Sequence, residues 1–319
     1  MQRAVIIATG SYLPEKILTN DDLARMVDTN DAWIRERTGI TKRHVVAAGE
    51  ATSHLATRAA QAALRNAGLT AADIDGIVVG TSTPDTTMPS VATKVQAALG
   101  MDRGAALDVG AACTGFVAAL SVAQGWIATG VARRVLVIGA ETMSRIIDWT
   151  DRGTCILFGD GAGAVIIEAS TEATRGILAT QLDAQGAYGE LLGTNGGIST
   201  TQTAGTLFMQ GQEVFRHGVE KMAEATLKTL NKAGLTLADV DWLVPHQANA
   251  RMIKMIGRNL RIPTEKCIMT VDIHANTSAA SIPLALDVAV ADGRIKKGNI
   301  VVMPALGAGL TWGCCVVCW

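Results

Sequence analysis

Three side chains in this 319-residue sequence have the types and settings to do chemistry together: Cys113, His246 and Asn276. Cys113 follows an apolar run over 105–109 that reads as a buried strand, and it opens a helix predicted over 114–129. Its neighbours Gly110, Ala111, Ala112 and Gly115 are small and leave room for a substrate. A thiol at a helix N-terminus meets unpaired N–H groups and the positive end of the helix dipole, which lower its pKa. The same N–H groups can hold the oxyanion of an acyl intermediate. Cysteine also suits acyl transfer between thioesters, as both nucleophile and leaving group. In a Gly/Ala run a cysteine is otherwise a small buried hydrophobe, so its position carries the reading. His246 ends a second buried strand, after Pro245 and before the polar run Gln247-Ala248-Asn249. Of the other histidines, His44, His54 and His217 read as surface residues, and His274 falls in the strand expected before Asn276. Two chemistries are open to a Cys, His and Asn set. In one, His activates the thiol as in a protease-like triad. In the other, His and Asn donate hydrogen bonds to one substrate oxygen, as an enolate requires.

An internal repeat supplies the scaffold that would bring these residues together. Residues 67–78 and 233–244 are identical at eight of twelve positions, at an offset of 166 (233 − 67). That spacing is about half the chain, too long for a solenoid and right for a duplicated domain. Each copy follows an amphipathic helix, over 53–66 and 213–232, that ends at a glycine, the usual left-handed C-terminal residue. The strand after the first copy ends in Val79-Gly80, and the second ends in Pro245-His246-Gln247-Ala248-Asn249. Residues 108–113 also match residues 272–277, setting Cys113 opposite Thr277. Small-residue helices follow, ending at Ala128-Thr129-Gly130 and Ala291-Asp292-Gly293, then buried strands over 135–138 and 300–303. Packed about a pseudo-twofold axis, the strand-to-helix turns of the two halves converge. The polar stretch 170–175 is the seam, giving an N-terminal half, 1–171, with the Cys and a C-terminal half, 172–319, with the His and Asn.

The bulk properties narrow the class. Half the residues are hydrophobic (49%), only 4% are aromatic, and 33 are glycine, so the core is expected to be closely packed by small side chains. A net charge of −1 provides no basic field for nucleic acid. No eighteen-residue run is free of polar interruption, so no membrane-spanning helix is expected, and the N-terminus lacks the order of a signal peptide. Six cysteines without a small-domain framework read as reduced thiols in a cytoplasmic protein. Gly159-x-Gly161-x-Gly163 has the wrong spacing for a dinucleotide loop and reads as a tight turn between strands. Cys315 and Cys318 would point to opposite faces of a strand, so no metal is expected there. The Thr- and Gly-rich segment 193–205 reads as an ordered surface loop or lid.

Several segments together carry a resemblance. They are Ala112-Cys113-Thr114-Gly115-Phe116, Pro245-His246-Gln247-Ala248-Asn249 and Asn276-Thr277-Ser278-Ala279-Ala280-Ser281-Ile282-Pro283. Gly10-Ser11-Tyr12-Leu13-Pro14, Trp33-Ile34 with Arg37-Thr38-Gly39-Ile40, Asp151-Arg152-Gly153 and Phe158-Gly159-Asp160-Gly161-Ala162-Gly163-Ala164 accompany them. In this order the chain closely resembles, over essentially its whole length, the β-ketoacyl-acyl-carrier-protein synthase III family of thiolase-fold condensing enzymes. The resemblance implies an α/β fold of two pseudo-twofold-related halves packed as αβαβα layers. It also implies acyl transfer from acyl-CoA to Cys113, then decarboxylative condensation with malonyl-acyl-carrier protein, the initiating step of fatty acid synthesis. His246 and Asn276 would stabilise the enolate, and the backbone N–H groups of Cys113 and Ala308 would hold the oxyanion. No cofactor is implied.

By the same resemblance Trp33 and Arg152 would sandwich the CoA adenine, and Arg37 would lie near its phosphates. The acyl pocket would be lined by Met143, Phe158, Leu192 and Phe215, with Met88 reaching in from the partner of a homodimer. Arg251, Lys254 and Arg258 stand at i, i+3 and i+7 on one helix after His246; with Arg216 they form a surface for an acidic carrier protein or CoA phosphates. Two departures stand out: Ala308 where the family has Gly, a difficulty if the position requires positive φ, and Met88 where it often has Phe. A thiolase is disfavoured because the C-terminal Gly-rich turn has no second cysteine. A non-decarboxylating synthase is disfavoured because no carboxylate stands out beside the thiol. A specialised-metabolite relative using longer acyl groups or another acceptor is the alternative, followed by a silent acyl- or carrier-binding subunit.

Overall fold

In the computed structural model, which describes residues 2–319, each half of the chain folds as a sheet with helices on its faces. The first half runs β1 (Arg3–Tyr12), β2 (Ile17–Thr19), α1 (Asn20–Ala24), α2 (Asp31–Thr38), β3 (Lys42–His44), α3 (Thr52–Ala67), β4 (Gly76–Gly80), α4 (Val91–Ala98), β5 (Ala105–Val109), α5 (Gly115–Thr129), β6 (Arg134–Thr142), α6 (Arg152–Cys155) and β7 (Asp160–Ser170). The second runs β8 (Gly176–Ala184), β9 (Leu192–Thr194), β10 (Leu207–Met209), α7 (Gly211–Lys232), β11 (Trp242–Leu243), α8 (Ala250–Asn259), α9 (Val271–His274), α10 (Ser281–Ala291), β12 (Ile300–Gly307) and β13 (Thr311–Cys318). The strand orders β1-β7-β6-β4-β5 and β8-β13-β12-β11 correspond over their first four strands, with β4/β6 and β11/β12 as matching parallel pairs and β4/β5 as a further parallel pair.

The repeated residues do the same work twice. Gly68 and Gly234 take left-handed φ values of 65° and 71°, which only glycine adopts freely, and turn the chain out of α3 and α7. The hydroxyl and backbone N–H of Thr70 donate to the Asp73 carboxylate, both at 2.8 Å, and Thr236 does the same to Asp239 at the same distances. Asp75 and Asp241 then pin the neighbouring parallel strand. The Asp75 carboxylate accepts the Arg134 N–H at 2.9 Å, and that of Asp241 accepts the Ile300 N–H at 2.8 Å.

Alternation along the strands makes the layers. In β6, Val135 and Val137 face a central core while Leu136 and Ile138 face an outer one; β12 divides Val301 and Met303 from Val302 in the same way. Helices α3 and α4 cover the outer face of the first sheet, α5 and α10 lie between the sheets, and α7 covers the second: an αβαβα stack. The segment Ala112–Thr129 is long and apolar enough to cross a membrane by length and composition alone. Its apolarity has another cause: Phe116, Val117, Leu120 and Ile127 are buried between two sheets.

Three expectations need correction. Gly161 and Gly163 lie inside β7, not in a turn; a Cβ on Gly163 would come within 2.6 Å of the Leu284 N, so glycine lets α10 rest on the strand. No strand precedes Asn276. The counterpart of β5 is reduced to one bridge, Leu243 to Cys267, and His274 ends the single helical turn α9, buried. Finally, the counterpart of Cys113 is Ala279, not Thr277. Ala112 and Ser278 both take left-handed φ (47° and 50°), and α5 and α10 begin at Gly115 and Ser281, so the offset is again 166 (278 − 112, 281 − 115). The Asp108/Asp272 match misled because the two residues do different jobs. Asp108 accepts the Val91 and Ala92 N–H groups at the start of α4, whereas Asp272 takes Thr41 on its backbone carbonyl.

Candidate active site

Cys113 sits in the turn that enters α5 and is 8% exposed. The turn fits only because β12 ends in Gly307, where a Cβ would stand 2.6 Å from the Cys113 N. Burial pushes the Cys113 thiol up to about 12, against the lowering influence of the Ser278 hydroxyl and its own N–H. The sequence predicts a lowered pKa from the helix terminus. Desolvation outweighs that effect, because the thiol lies beneath the surface. In the unliganded site the sulfur is therefore protonated.

His246 follows β11, and its N–H donates to the Pro304 carbonyl at 2.9 Å. Gln247 holds the loop in place, donating to the Pro245 and Ile268 carbonyls and accepting the Thr270 N–H. The His246 Nδ1 lies 2.7 Å from Ser281 Oγ, which also accepts the Gln247 N–H. Among the described residues Nδ1 is the only acceptor that the Ser281 hydroxyl meets, so its proton is assigned there, and the imidazole carries its own proton on Nε2. Burial lowers the His246 pKa to about 4, so the ring is neutral at physiological pH. Asn276 is clamped to the first half: its N–H donates to the Leu157 carbonyl and its own carbonyl accepts the Gly159 N–H. Its Oδ1 accepts the Ser278 N–H at 2.9 Å, leaving the amide NH₂ as the free donor.

All three side chains line one cavity of about 290 Å³. Ala308 lines it as well, and its φ is not positive, so the alanine sits there without backbone strain. Met143, Phe158, Leu192 and Phe215 form part of the apolar wall. The β9/β10 hairpin that bears the 193–205 segment contributes Leu192, Leu207 and Met209. Met88 does not line this cavity and is 79% exposed. Sequence reasoning missed Ser278 and Ser281, although both lie within a quoted motif. It also found no carboxylate near the thiol, whereas Glu141 is fully buried behind Ser278, whose hydroxyl donates to it at 3.0 Å. Glu141 does not line the cavity, so it offers no base to a substrate.

Trp33 lies in the first turn of α2, where Asn30 caps the helix by accepting its N–H at 2.8 Å. The guanidinium carbons of Arg152 and Arg37 stand 5.0 Å and 5.5 Å from its ring centre, within cation–π range. Helix α2 ends at Gly39, which abuts Ala250 at the start of α8. On α8, Arg251, Lys254 and Arg258 are exposed while Met252, Ile253 and Ile256 are buried, so the basic stripe borders the Trp33 region. Arg216 is paired with Glu213 at 2.7 Å and is the weaker cation of the group. Among the described residues, no set of three or more His, Cys, Asp or Glu side chains is grouped to hold a metal.

Comparison with known proteins agrees with this geometry. Residues 107–186 match the family model for 3-oxoacyl-[acyl-carrier-protein] synthase III, and residues 230–319 match the model for its C-terminal region. A β-ketoacyl-[acyl-carrier-protein] synthase III of Paracoccus denitrificans is 56% identical, with all of both chains covered. The crystal structure of 3-oxoacyl-[acyl-carrier-protein] synthase III from Aquifex aeolicus is 44% identical, covers 99% of this chain and 100% of its own, and has a TM-score of 0.94. The priming β-ketosynthase of the R1128 polyketide pathway is 33% identical over 99% of this chain and 96% of its own, with a TM-score of 0.93. With a thiol, a neutral imidazole and an oriented amide meeting in one cavity of a duplicated α/β scaffold, the chain belongs to the β-ketoacyl-acyl-carrier-protein synthase III family of thiolase-fold condensing enzymes.

Proposed function

We propose that the enzyme loads an acyl group from acyl-CoA onto Cys113 and condenses it with malonyl-acyl-carrier protein, initiating fatty acid synthesis without a cofactor. The orientation of the His246 and Asn276 hydrogen bonds carries this reading. In a triad, His takes a proton from the thiol and Asn holds the His. Here Ser281 occupies the His246 Nδ1, and the Asn276 amide is anchored by Ser278, not by the imidazole. Both groups are left as donors, which suits the oxygen of a thioester enolate. Loss of CO₂ from the malonyl group supplies the electron pair; the enolate carbon attacks the acyl carbon, the C–S bond to Cys113 breaks, and the sulfur recovers a proton. Backbone N–H groups of Cys113 and Ala308 stabilise the tetrahedral oxyanion on the acyl carbon.

Trp33 and Arg152 would sandwich the adenine, with the base taking the stacking position that the Arg152 guanidinium now occupies, and Arg37 would meet the phosphates. The exposed stripe Arg251, Lys254 and Arg258, with Arg216 at its margin, would receive the acidic carrier protein. The division into halves at 1–171 and 172–319, a homodimer in which Met88 enters the partner's acyl pocket, and a cytoplasmic location complete the proposal. The apolar length of the cavity wall supports starters longer than acetyl.

The test is intact-mass measurement after incubation with acyl-CoA, then addition of malonyl-carrier protein. Acylation of Cys113 followed by its discharge into a 3-oxoacyl product is expected; binding without acylation would indicate a non-catalytic subunit. Because burial holds His246 neutral down to about pH 4, malonyl decarboxylation should be flat between about pH 5.5 and about pH 8 and fail only in stronger acid. An inflection near the ordinary histidine value of about 6.5 would contradict the neutral-donor role.

A further inference from the structure

The two halves contact each other reciprocally: β6 touches the turn before α10, and β12 touches the turn before α5. At the matching positions of these strands, 166 apart (307 − 141), stand Glu141 and Gly307. Gly307 has no side chain, so no carboxylate from β12 stands beside the Cys113 N–H. Glu141 is 0% exposed and turns its carboxylate to the other turn, where the Ala279 N–H, the counterpart of the Cys113 N–H, helps to hold its charge. It also accepts the Ser278 hydroxyl at 3.0 Å, the Thr83 hydroxyl at 2.5 Å and the Ser82 N–H at 3.0 Å. The Thr81 hydroxyl, at 3.3 Å, completes a shell made wholly of donors. Of the two pseudo-symmetric sites, the one at Cys113 thus has no built-in anion, and the other is filled by a carboxylate.

We propose that Glu141 is a positioning residue for condensation: by filling the second anion site it locks the Ser278–Ala279 turn and so aims the Asn276 amide into the cavity. The inference rests on the enolate role given to Asn276 above. Ser278 is a non-glycine residue at φ 50°, a conformation that persists only when its surroundings enforce it. The Ser278 N–H in turn holds Asn276 Oδ1, so the carboxylate is linked to the reacting amide through this turn.

Glu141→Gln keeps the size but presents an NH₂ group to a shell of donors, and Ser278→Ala removes the hydroxyl link while keeping the backbone N–H. Both full-length variants, with Asn276→Ala as a reference, are assayed for Cys113 acylation by acetyl-CoA and for malonyl-carrier-protein decarboxylation. Misplacement of one donor is expected to lower kcat for decarboxylation about 10- to 100-fold with KM within about threefold of the parent, a loss larger than any change in Cys113 acylation, which the Ser278 hydroxyl also touches. Equal losses in both half-reactions would overturn the proposal, because Glu141 would then serve the thiol or the fold as a whole. Unchanged decarboxylation in a folded Ser278→Ala protein would also overturn it, and decides the matter if Glu141→Gln does not fold. If Asn276→Ala itself decarboxylates normally, the enolate reading fails and the Glu141 inference falls with it; if Asn276→Ala is impaired but both other variants are not, the Glu141 inference alone fails.

Discussion

The same point in the two halves is built in opposite ways. Where β4 of the first half meets α5, Gly80 lies against Gly115 so closely that a Cβ on Gly80 would stand 2.5 Å from the Gly115 carbonyl carbon. The equivalent positions of the second half, 166 residues on, are His246 and Ser281, whose side chains meet at 2.7 Å. Turn against turn, the contrast repeats: the first half places Cys113 where the second has Ala279. Duplication supplied two similar frames, and each half uses a different corner of its frame at the cavity. Close backbone packing fills the corner that the other half opened. The cavity is therefore built by both halves: one places Cys113 in it, the other His246 and Asn276.

The largest effect tests the nucleophile's corner. Cys113→Ser should lose condensation by at least about 10³-fold, because no base is poised to activate a hydroxyl. Near-parental turnover by purified Cys113→Ser would remove Cys113 from the mechanism. Next, His246→Ala or Asn276→Ala should lower malonyl decarboxylation about 10²- to 10³-fold, the usual loss for one oxyanion donor, and spare Cys113 acylation. Parallel loss of the two half-reactions would favour a triad in place of a division of labour between halves.

A third pair probes the contrasting corners directly. Ser281→Ala frees the His246 tautomer and should cost about tenfold in condensation, with about 1–3 kcal/mol of stability lost because the buried Gln247 N–H is left without an acceptor. Gly80→Ala should destabilise the protein by about 1–3 kcal/mol through overpacking, read as a lower melting temperature. If Gly80→Ala were neutral, the close approach of β4 and α5 would not be what fills that corner. The smallest effect concerns Met88. Each buried methylene contributes roughly 0.8 kcal/mol, so Met88→Phe should lower kcat/KM for octanoyl-CoA by about tenfold or more relative to acetyl-CoA. A uniform change across acetyl, butyryl and octanoyl substrates would show that Met88 does not gate length.

The helices and strands that carry the site were legible because their signals are local. Gly68 and Gly234, the Thr-x-x-Asp turns and the apolar runs each act within a few residues, and they recur at one offset. The register of the nucleophile's turn was not legible. A chance Asp match was the stronger one-dimensional signal, and the left-handed Ala112 and Ser278 that mark the true register carry no glycine to announce them. The strand expected before Asn276 failed for a related reason, since a short apolar segment reads alike whether it pairs along its length or at a single bridge.

By itself, the sequence determined the duplicated α/β frame, the identity of Cys113, His246 and Asn276, and the apolar wall at Met143, Phe158, Leu192 and Phe215. The frame and the three polar residues follow from residue type, periodicity and position, and the wall from the family resemblance. Tertiary structure decided the electrostatics. Burial raised the Cys113 thiol and lowered His246, against what a helix terminus or a free imidazole would give. It also decided which atom of each polar side chain was left to act. Ser281, Ser278 and Glu141 set those orientations across long gaps in the chain, and such contacts exist only once the two halves have closed on each other.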